Sequence, residues 1–257
     1  MKITALVENT TKEDLKTEHG LSLYIETENH TILFDSGQGE LFAENAEKLG
    51  KDLSKVDLMI LSHGHYDHGG GLETFLKKNS RAKVIMSSEA FGDYYNASDK
   101  YIGLDKDLKD DDRFVFVDVD EQIDDELYIY TGSIREKVEY MTPSGLKMKK
   151  WDVLVPDFFD HEIYLMINEK GKRVLISGCS HKGIINILEW FRPDVLIGGF
   201  HFSKLPLDDT LKDYAGRLDK YDTEYYTCHC TGTEQYEFMK ESMGRLRYLS
   251  EGMTIEI

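Results

Sequence analysis

The stretch LSHGHYDHGGGL, residues 61–72, places His63, His65, Asp67 and His68 within six residues, directly after the apolar run VDLMILS at 56–62. An apolar strand that runs straight into four potential ligands restricts the chain to folds in which a buried strand ends at an accessible sheet edge. His63 and His65, two apart on an extended loop, point to the same side and offer imidazoles to one cation, while Asp67 and His68 address a neighbouring position. The spacing favours two metal ions over one. Gly64 and the run Gly69-Gly70-Gly71 permit the tight turns this convergence needs. A helix beginning near Leu72 would turn its positive end toward the loop. An isolated histidine is more often an ordinary satisfied polar residue; this set, at this spacing and after a buried strand, reads as a metal centre.

The pattern around the loop sets the fold class. Residues 2–8, 21–27 and 31–35 read as short strands, the last two joined by a turn at 28–30, so an antiparallel meander opens the chain. A helical pattern follows over 41–49, then the strand at 56–62. Strands at 162–168 and 173–178 begin a second cycle. Helices near 184–192, 207–220 and 231–242 then alternate with strands at 194–199, 223–227, 246–249 and 252–257. Alternating strands and helices need helices lying on sheet faces. The expectation is an α/β fold, a four-layer αββα sandwich of two mixed β-sheets with helices on the outer faces and the polar loops along one edge. No Pro/Gly/Ser-rich linker or repeat interrupts residues 1–257, which read as a single domain. Residues 87–160 mix Tyr-rich (94–101), acidic (105–126) and basic (135–150) stretches with little periodicity and read as insertions.

Charge narrows the partners. With 31 Lys+Arg against 48 Asp+Glu the net charge is −17, so the surface repels phosphate backbones and anionic membranes, and nucleic acid is not an expected partner. No apolar run approaches the roughly 18–20 residues of a membrane span, and residues 1–16 lack a secretory pattern. The 3 cysteines are odd in number, with Cys228 and Cys230 two apart, which points to a reducing cytoplasm. The charge is uneven: residues 105–126 hold 11 acids and 3 bases, whereas within 133–151 Arg135, Lys137, Lys147, Lys149 and Lys150 outnumber Glu136 and Glu139. A basic patch in an acidic protein would draw a small phosphorylated or carboxylated substrate.

Further ligand types follow later strands. SGCSHKGI (177–184) presents His181, GGFH (198–201) presents His201 and TCHCTGTE (227–234) presents His229, each delivered by an apolar strand. Thr231 to Glu234 fit a capping box, placing a helix start just after His229. Cys228 and Cys230 flank His229 and read as packing residues, and His19 and His161 as ordinary polar ones.

The His-x-His-x-Asp-His loop, the meander and the alternating cycles together resemble the metallo-β-lactamase superfamily, over essentially the whole chain. GCSH, GGFH and HCTG in this order, with EHGLSLYIE at 18–26, resemble a subgroup, the 7,8-dihydropterin-6-methyl-4-(β-D-ribofuranosyl)aminobenzene-5′-phosphate synthase-like proteins, also described as dihydropteroate-synthase-like. The resemblance implies that Asp35, ending TILFDSG, sits beneath the metal loop and orients ligand imidazoles. It implies metal ligands His63, His65, Asp67, His68, His181 and His229. His201 is a further ligand or a donor to substrate. Cys179 stands where the superfamily's bridging aspartate would be expected and is either a thiolate ligand or a buried cysteine. The usual third histidine of a GHxPG-like loop is absent, replaced by DFFDHE at 157–162.

The chemistry implied is hydrolysis. Two divalent ions, zinc with iron or manganese as alternatives, would lower the pKa of a water and polarise a carbonyl or phosphoryl oxygen. Asp67 would orient that water or take its proton, and His201 would stabilise the oxyanion. No GxSxG elbow supports a serine nucleophile. The subgroup implies an alternative, a transferase joining a pterin to an aminobenzene compound; a third reading is a non-catalytic metal-binding protein. Tyr94, Tyr95 and Tyr101 are expected near the pocket mouth, against an aromatic substrate or as packing.

Overall fold

The structure is a computed structural model that describes residues 1–132, 134–140 and 145–257. They form two compact units. The first contains the described residues of Met1–Asp118, Thr142–Ile163 and Glu251–Ile257, the second those of Val119–Met141 and Tyr164–Ser250.

The first unit is built on a seven-stranded mixed sheet. Thr254–Glu256, Lys2–Val7, Ser22–Glu26 and Thr31–Phe34 pair antiparallel. From Thr31–Phe34 onward the order is parallel, through Leu58–Ile60 and Lys83–Met86 to Phe114–Phe116. The switch follows from the connections: Glu28 to His30 form a tight turn, whereas the helices Leu41–Lys48 and Leu72–Lys78 supply the crossovers that parallel strands require. Phe42, Ala46, Leu72 and Phe75 on these helices are buried in one cluster with Leu6, Leu33, Met59 and Val84 of the sheet. Burying a side chain of the Leu or Phe size contributes roughly 1.5–3 kcal/mol, so the helices are fixed by this apolar face. A small three-stranded sheet is attached, made of Tyr94–Tyr95, Lys147–Lys150 and Val153–Pro156.

The second unit has its own seven-stranded mixed sheet. Lys172–Ser177, Val195–Gly198, Glu224–Thr227 and Leu246–Tyr248 run parallel. Tyr164–Glu169, Leu127–Tyr130 and Glu121–Gln122 continue it antiparallel. The helices Ile184–Phe191, Asp209–Leu218 and Thr233–Met239 pack Leu188, Leu211, Ala215 and Met239 into one cluster with Leu175, Leu196 and Tyr225.

Two large mixed sheets with helices are the α/β class expected. Within the region 87–160, read from the sequence as insertions, Phe114–Phe116 and Leu127–Tyr130 each supply a strand to a large sheet. Phe114–Phe116 escapes a sequence reading because only Phe114 is buried while Val115 and Phe116 are exposed, as suits the end strand of a sheet rather than an interior one. Among the described residues no helix is long and apolar enough to cross a membrane.

Candidate metal centre

The parallel pairing of Thr31–Phe34 with Leu58–Ile60, register Phe34↔Ile60, puts the residues that follow both strands at one sheet edge. Asp35 is there, wholly buried, in the left-handed region at φ 59, with its N–H bonded to the Ile60 carbonyl at 2.9 Å. The turn aims its carboxylate at the histidine-rich loop that follows Ile60. Oδ1 accepts the Ser62 N–H at 2.7 Å, and Oδ2 accepts the Ser62 hydroxyl at 2.7 Å and meets His68 Nδ1 at 2.7 Å. Because the Ser62 hydroxyl spends its proton on Asp35, it accepts from His63 Nδ1 at 2.9 Å. One carboxylate thus fixes the same tautomer in both rings and makes Nε2 the basic nitrogen of His63 and of His68, the form a metal ion requires. The rings converge: the His63 centroid lies 4.6 Å from that of His65 and 4.1 Å from that of His68.

The loop is extended only in its first part. His65 is extended and caps a single helical turn, Tyr66–Gly69, which carries Asp67 and His68. Asp67 lies with Oδ2 3.8 Å from His68 Nε2 and 3.3 Å from His19 Nε2. Burial holds the His65 imidazolium pKa below the ordinary value, outweighing its neighbour Asp157. Burial also opposes charge on His68, but the Asp35 and Asp67 carboxylates more than offset it and the net shift is upward. Gly64 is required by close approach, since a Cβ there would lie 2.0 Å from the Ala90 carbonyl oxygen.

Beside His65 stand two residues that the motif does not include. Asp157 and His161 are buried, and their ligand atoms lie within 4.8 Å of His65's and of each other. Burial alone would raise the Asp157 carboxyl, but His161, His65 and the Phe159 N–H outweigh it and the net shift is downward. The signal available in the sequence was the Asp-x-x-x-His spacing within DFFDHE. His19 gave no such signal.

In the second unit the parallel register Ser177↔Gly198↔Thr227 brings the loops carrying His181, His201 and His229 to one sheet edge. The rings of His181 and His201 are 4.4 Å apart. His181 and His229 are buried and His201 is half-buried, with His201 and His229 both at positive φ, 58 and 48. His229 begins a 3-10 turn, His229–Thr231, rather than extending a strand. The expected capping box is absent: Gly232 caps Thr233–Met239 with no side-chain bond, because the Thr231 hydroxyl accepts the Phe200 N–H at 2.8 Å. Cys179, Cys228 and Cys230 are buried, and Cys230 Sγ packs 3.6 Å from the Cys179 carbonyl oxygen.

The Tyr94 ring lies 5.7 Å from His65, near the loop as expected. It is fully buried, however, and its hydroxyl donates to the Glu89 carbonyl at 2.6 Å, so it packs rather than facing a ligand. Tyr95 and Tyr101 pair edge to face at 5.6 Å. The basic stretch lies partly outside the described residues, at 133 and 141–144, and elsewhere much of its charge is met internally. Arg135 pairs with Asp120 at 2.6 Å, Lys147 with Asp99 at 2.5 Å and Lys149 with Asp152 at 3.0 Å.

The chain is similar to known proteins over most of its length. The chain is 31% identical, over 90% of each chain, to an uncharacterized protein of Methanocaldococcus jannaschii. It is 27% identical to the 7,8-dihydropterin-6-methyl-4-(β-D-ribofuranosyl)-aminobenzene-5′-phosphate synthase of the same organism, covering 93% of this chain and 90% of that one. Among solved structures, a metal-dependent hydrolase of the β-lactamase superfamily matches 100% of this chain and 99% of its own, with a TM-score of 0.85 at 29% identity. The family model described as metallo-beta-lactamase superfamily matches residues 15–226, and the chain belongs to that superfamily.

Proposed function

We propose that the protein is a metal-dependent hydrolase, working in the cytoplasm on a small phosphorylated or carboxylated substrate. The observation that carries this reading is the Asp35 carboxylate, which through Ser62 and His68 Nδ1 sets two imidazoles of one loop in the ligating tautomer. The 29% identical hydrolase neighbour supports the reaction class.

The proposed ligands are His63, His65, Asp67, His68, His181 and His229, with His201 and Cys179 as further donors. Nitrogen, carboxylate and thiolate donors of this kind suit zinc, and also iron or manganese. When bound, two such ions supply a water of lowered pKa and a Lewis acid for the scissile group. Asp35 holds the His63 and His68 rings in place. Asp67 orients the attacking water and takes its proton, and His201 donates to the oxygen on which charge develops.

A second reading is favoured by the 27% identical synthase: a transferase that joins a pterin to a ribofuranosyl-aminobenzene phosphate. One assay separates the two. Release of phosphate or acid from single generic esters, abolished by chelation and by His63→Ala, is the expected result. Product only when both organic substrates are present would establish the transferase. Bound metal without either reaction would leave a binding protein.

A further inference from the structure

The geometry points to Asp157, rather than His161, as the donor that completes the coordination around His65, with His161 as the residue that positions it; this rests on the metal-centre reading above. The superfamily's usual third histidine has no GHxPG loop here, and His161 would be its natural substitute. Its hydrogen bonds oppose that role. The Gly64 backbone N–H lies 2.9 Å from His161 Nδ1, and a backbone N–H only donates, so Nδ1 must accept. The proton of the neutral ring is therefore on Nε2, and that N–H faces Asp157 Oδ2 at 3.1 Å. A ligating Nε2 would shift the proton to Nδ1, where it would meet the Gly64 N–H donor to donor. The ring has little freedom to avoid this, being stacked on Tyr94 at 4.0 Å and 1% exposed.

Asp157 has the opposite character. Its Oδ1 accepts the Phe159 N–H at 2.8 Å, which fixes the carboxylate plane. Its Oδ2 accepts from His161 and also lies 3.9 Å from His65 Nε2. A carboxylate oxygen has a second lone pair for a cation while keeping one hydrogen bond. Two donors on one tetrahedral ion with bonds of about 2.0–2.1 Å sit roughly 3.3 Å apart, so only a small closing movement brings Oδ2 and His65 Nε2 onto one ion. The chain Gly64 N–H, His161, Asp157 then runs from the metal loop's own backbone to its additional ligand, so the loop orients the donor that completes it.

The test is cobalt(II) binding to the chelator-stripped full chain, read as stoichiometry and affinity by calorimetry and as ligand field by visible absorption. The apo forms are first compared by circular dichroism. Wild type is expected to bind two equivalents. Asp157→Asn, which keeps the shape and folds more readily than Asp157→Ala, should weaken one equivalent by at least 100-fold and change its spectrum. His161→Gln, which retains a side-chain N–H toward Asp157, should keep both equivalents and the spectrum, whereas His161→Ala should lose about 10-fold in affinity for that equivalent, as loss of an outer partner does. Asp157→Asn with unchanged binding overturns the proposal, as does loss of an equivalent in His161→Gln. Wild type that binds no cobalt, with His63→Ala indistinguishable from it, would instead sink the metal-centre reading itself.

Discussion

Asp35 is the residue on which the order of the His63–His68 loop depends. Three groups, the Ser62 N–H, the Ser62 hydroxyl and His68 Nδ1, converge on a carboxylate that is wholly buried. Replacing it by alanine leaves these donors unmet in a dry site, and breaking a buried charged network of this kind costs about 3–5 kcal/mol. Asp35→Ala should therefore lower the urea midpoint of the apo protein markedly. Asparagine tolerates the left-handed backbone at φ 59 and keeps one acceptor, so Asp35→Asn should fold but weaken zinc affinity roughly 10–100-fold, measured by competition with a chromophoric chelator. Equal zinc affinity in wild type and Asp35→Asn would show that the carboxylate does not set the tautomers. At this scale the sequence marks the candidate ligands where they are contiguous, as in His63 to His68. It does not so mark Asp157 and His161, which have no periodicity and which reach His65 only through tertiary packing of a distant segment.

At the scale of elements, the strands and helices that carry a clear apolar period were readable: Lys2–Val7, Tyr164–Glu169, Lys172–Ser177 and Ile184–Phe191 fall where the pattern puts them. Leu127–Tyr130 was not, although it alternates buried and half-buried residues, because the acidic run before it masks a four-residue signal. The turn Tyr66–Gly69 was missed because one helical turn has no period to detect. What holds that turn against its surroundings is close approach of backbone to backbone at Gly64. Gly64→Ala must push the 88–91 segment or the His63–His68 loop aside, since its Cβ would stand 2.0 Å from the Ala90 oxygen. The expected loss is about 3 kcal/mol or more in urea unfolding, with the Gly64 to His161 bond displaced as well. Gly39→Ala, with nothing within 4 Å of its Cβ, is the control and should stay within about 0.5 kcal/mol of wild type. Similar losses in both variants would show that the close approach to the Ala90 oxygen is not what Gly64 is needed for.

At the scale of the whole molecule a buried carboxylate, Glu251, ties the 251–257 segment to Glu8, just after the first strand, and to Asn45 on the helix Leu41–Lys48. Glu251 begins the segment that returns to pair with Lys2–Val7, and its own side chain is fully buried. Oε2 accepts the Glu8 N–H at 3.1 Å and Oε1 accepts from Asn45 Nδ2 at 3.1 Å. Burial, assisted by the nearby Glu8 and Glu18 charges and opposed by those two hydrogen bonds, pushes the Glu251 pKa up to about 7 from 4.5. The sign follows from proton counting. Between the unfolded value and about 7 the folded state holds a proton that the unfolded chain has released, so stability falls as pH rises through this window and levels off above it. The cost is on the order of 1–3 kcal/mol after allowing for partial screening. The urea midpoint should accordingly decline from pH 5 to pH 8, in the same direction as the self-repulsion of a chain carrying −17. Glu251→Gln separates the two effects. An amide cannot titrate but turns one N–H toward an existing donor, so its absolute stability can fall while the steep part of the slope between pH 5 and pH 7 disappears. If the variant keeps the full wild-type slope, net charge alone governs the pH response, and the closing carboxylate is ionised at neutral pH at no cost to the fold.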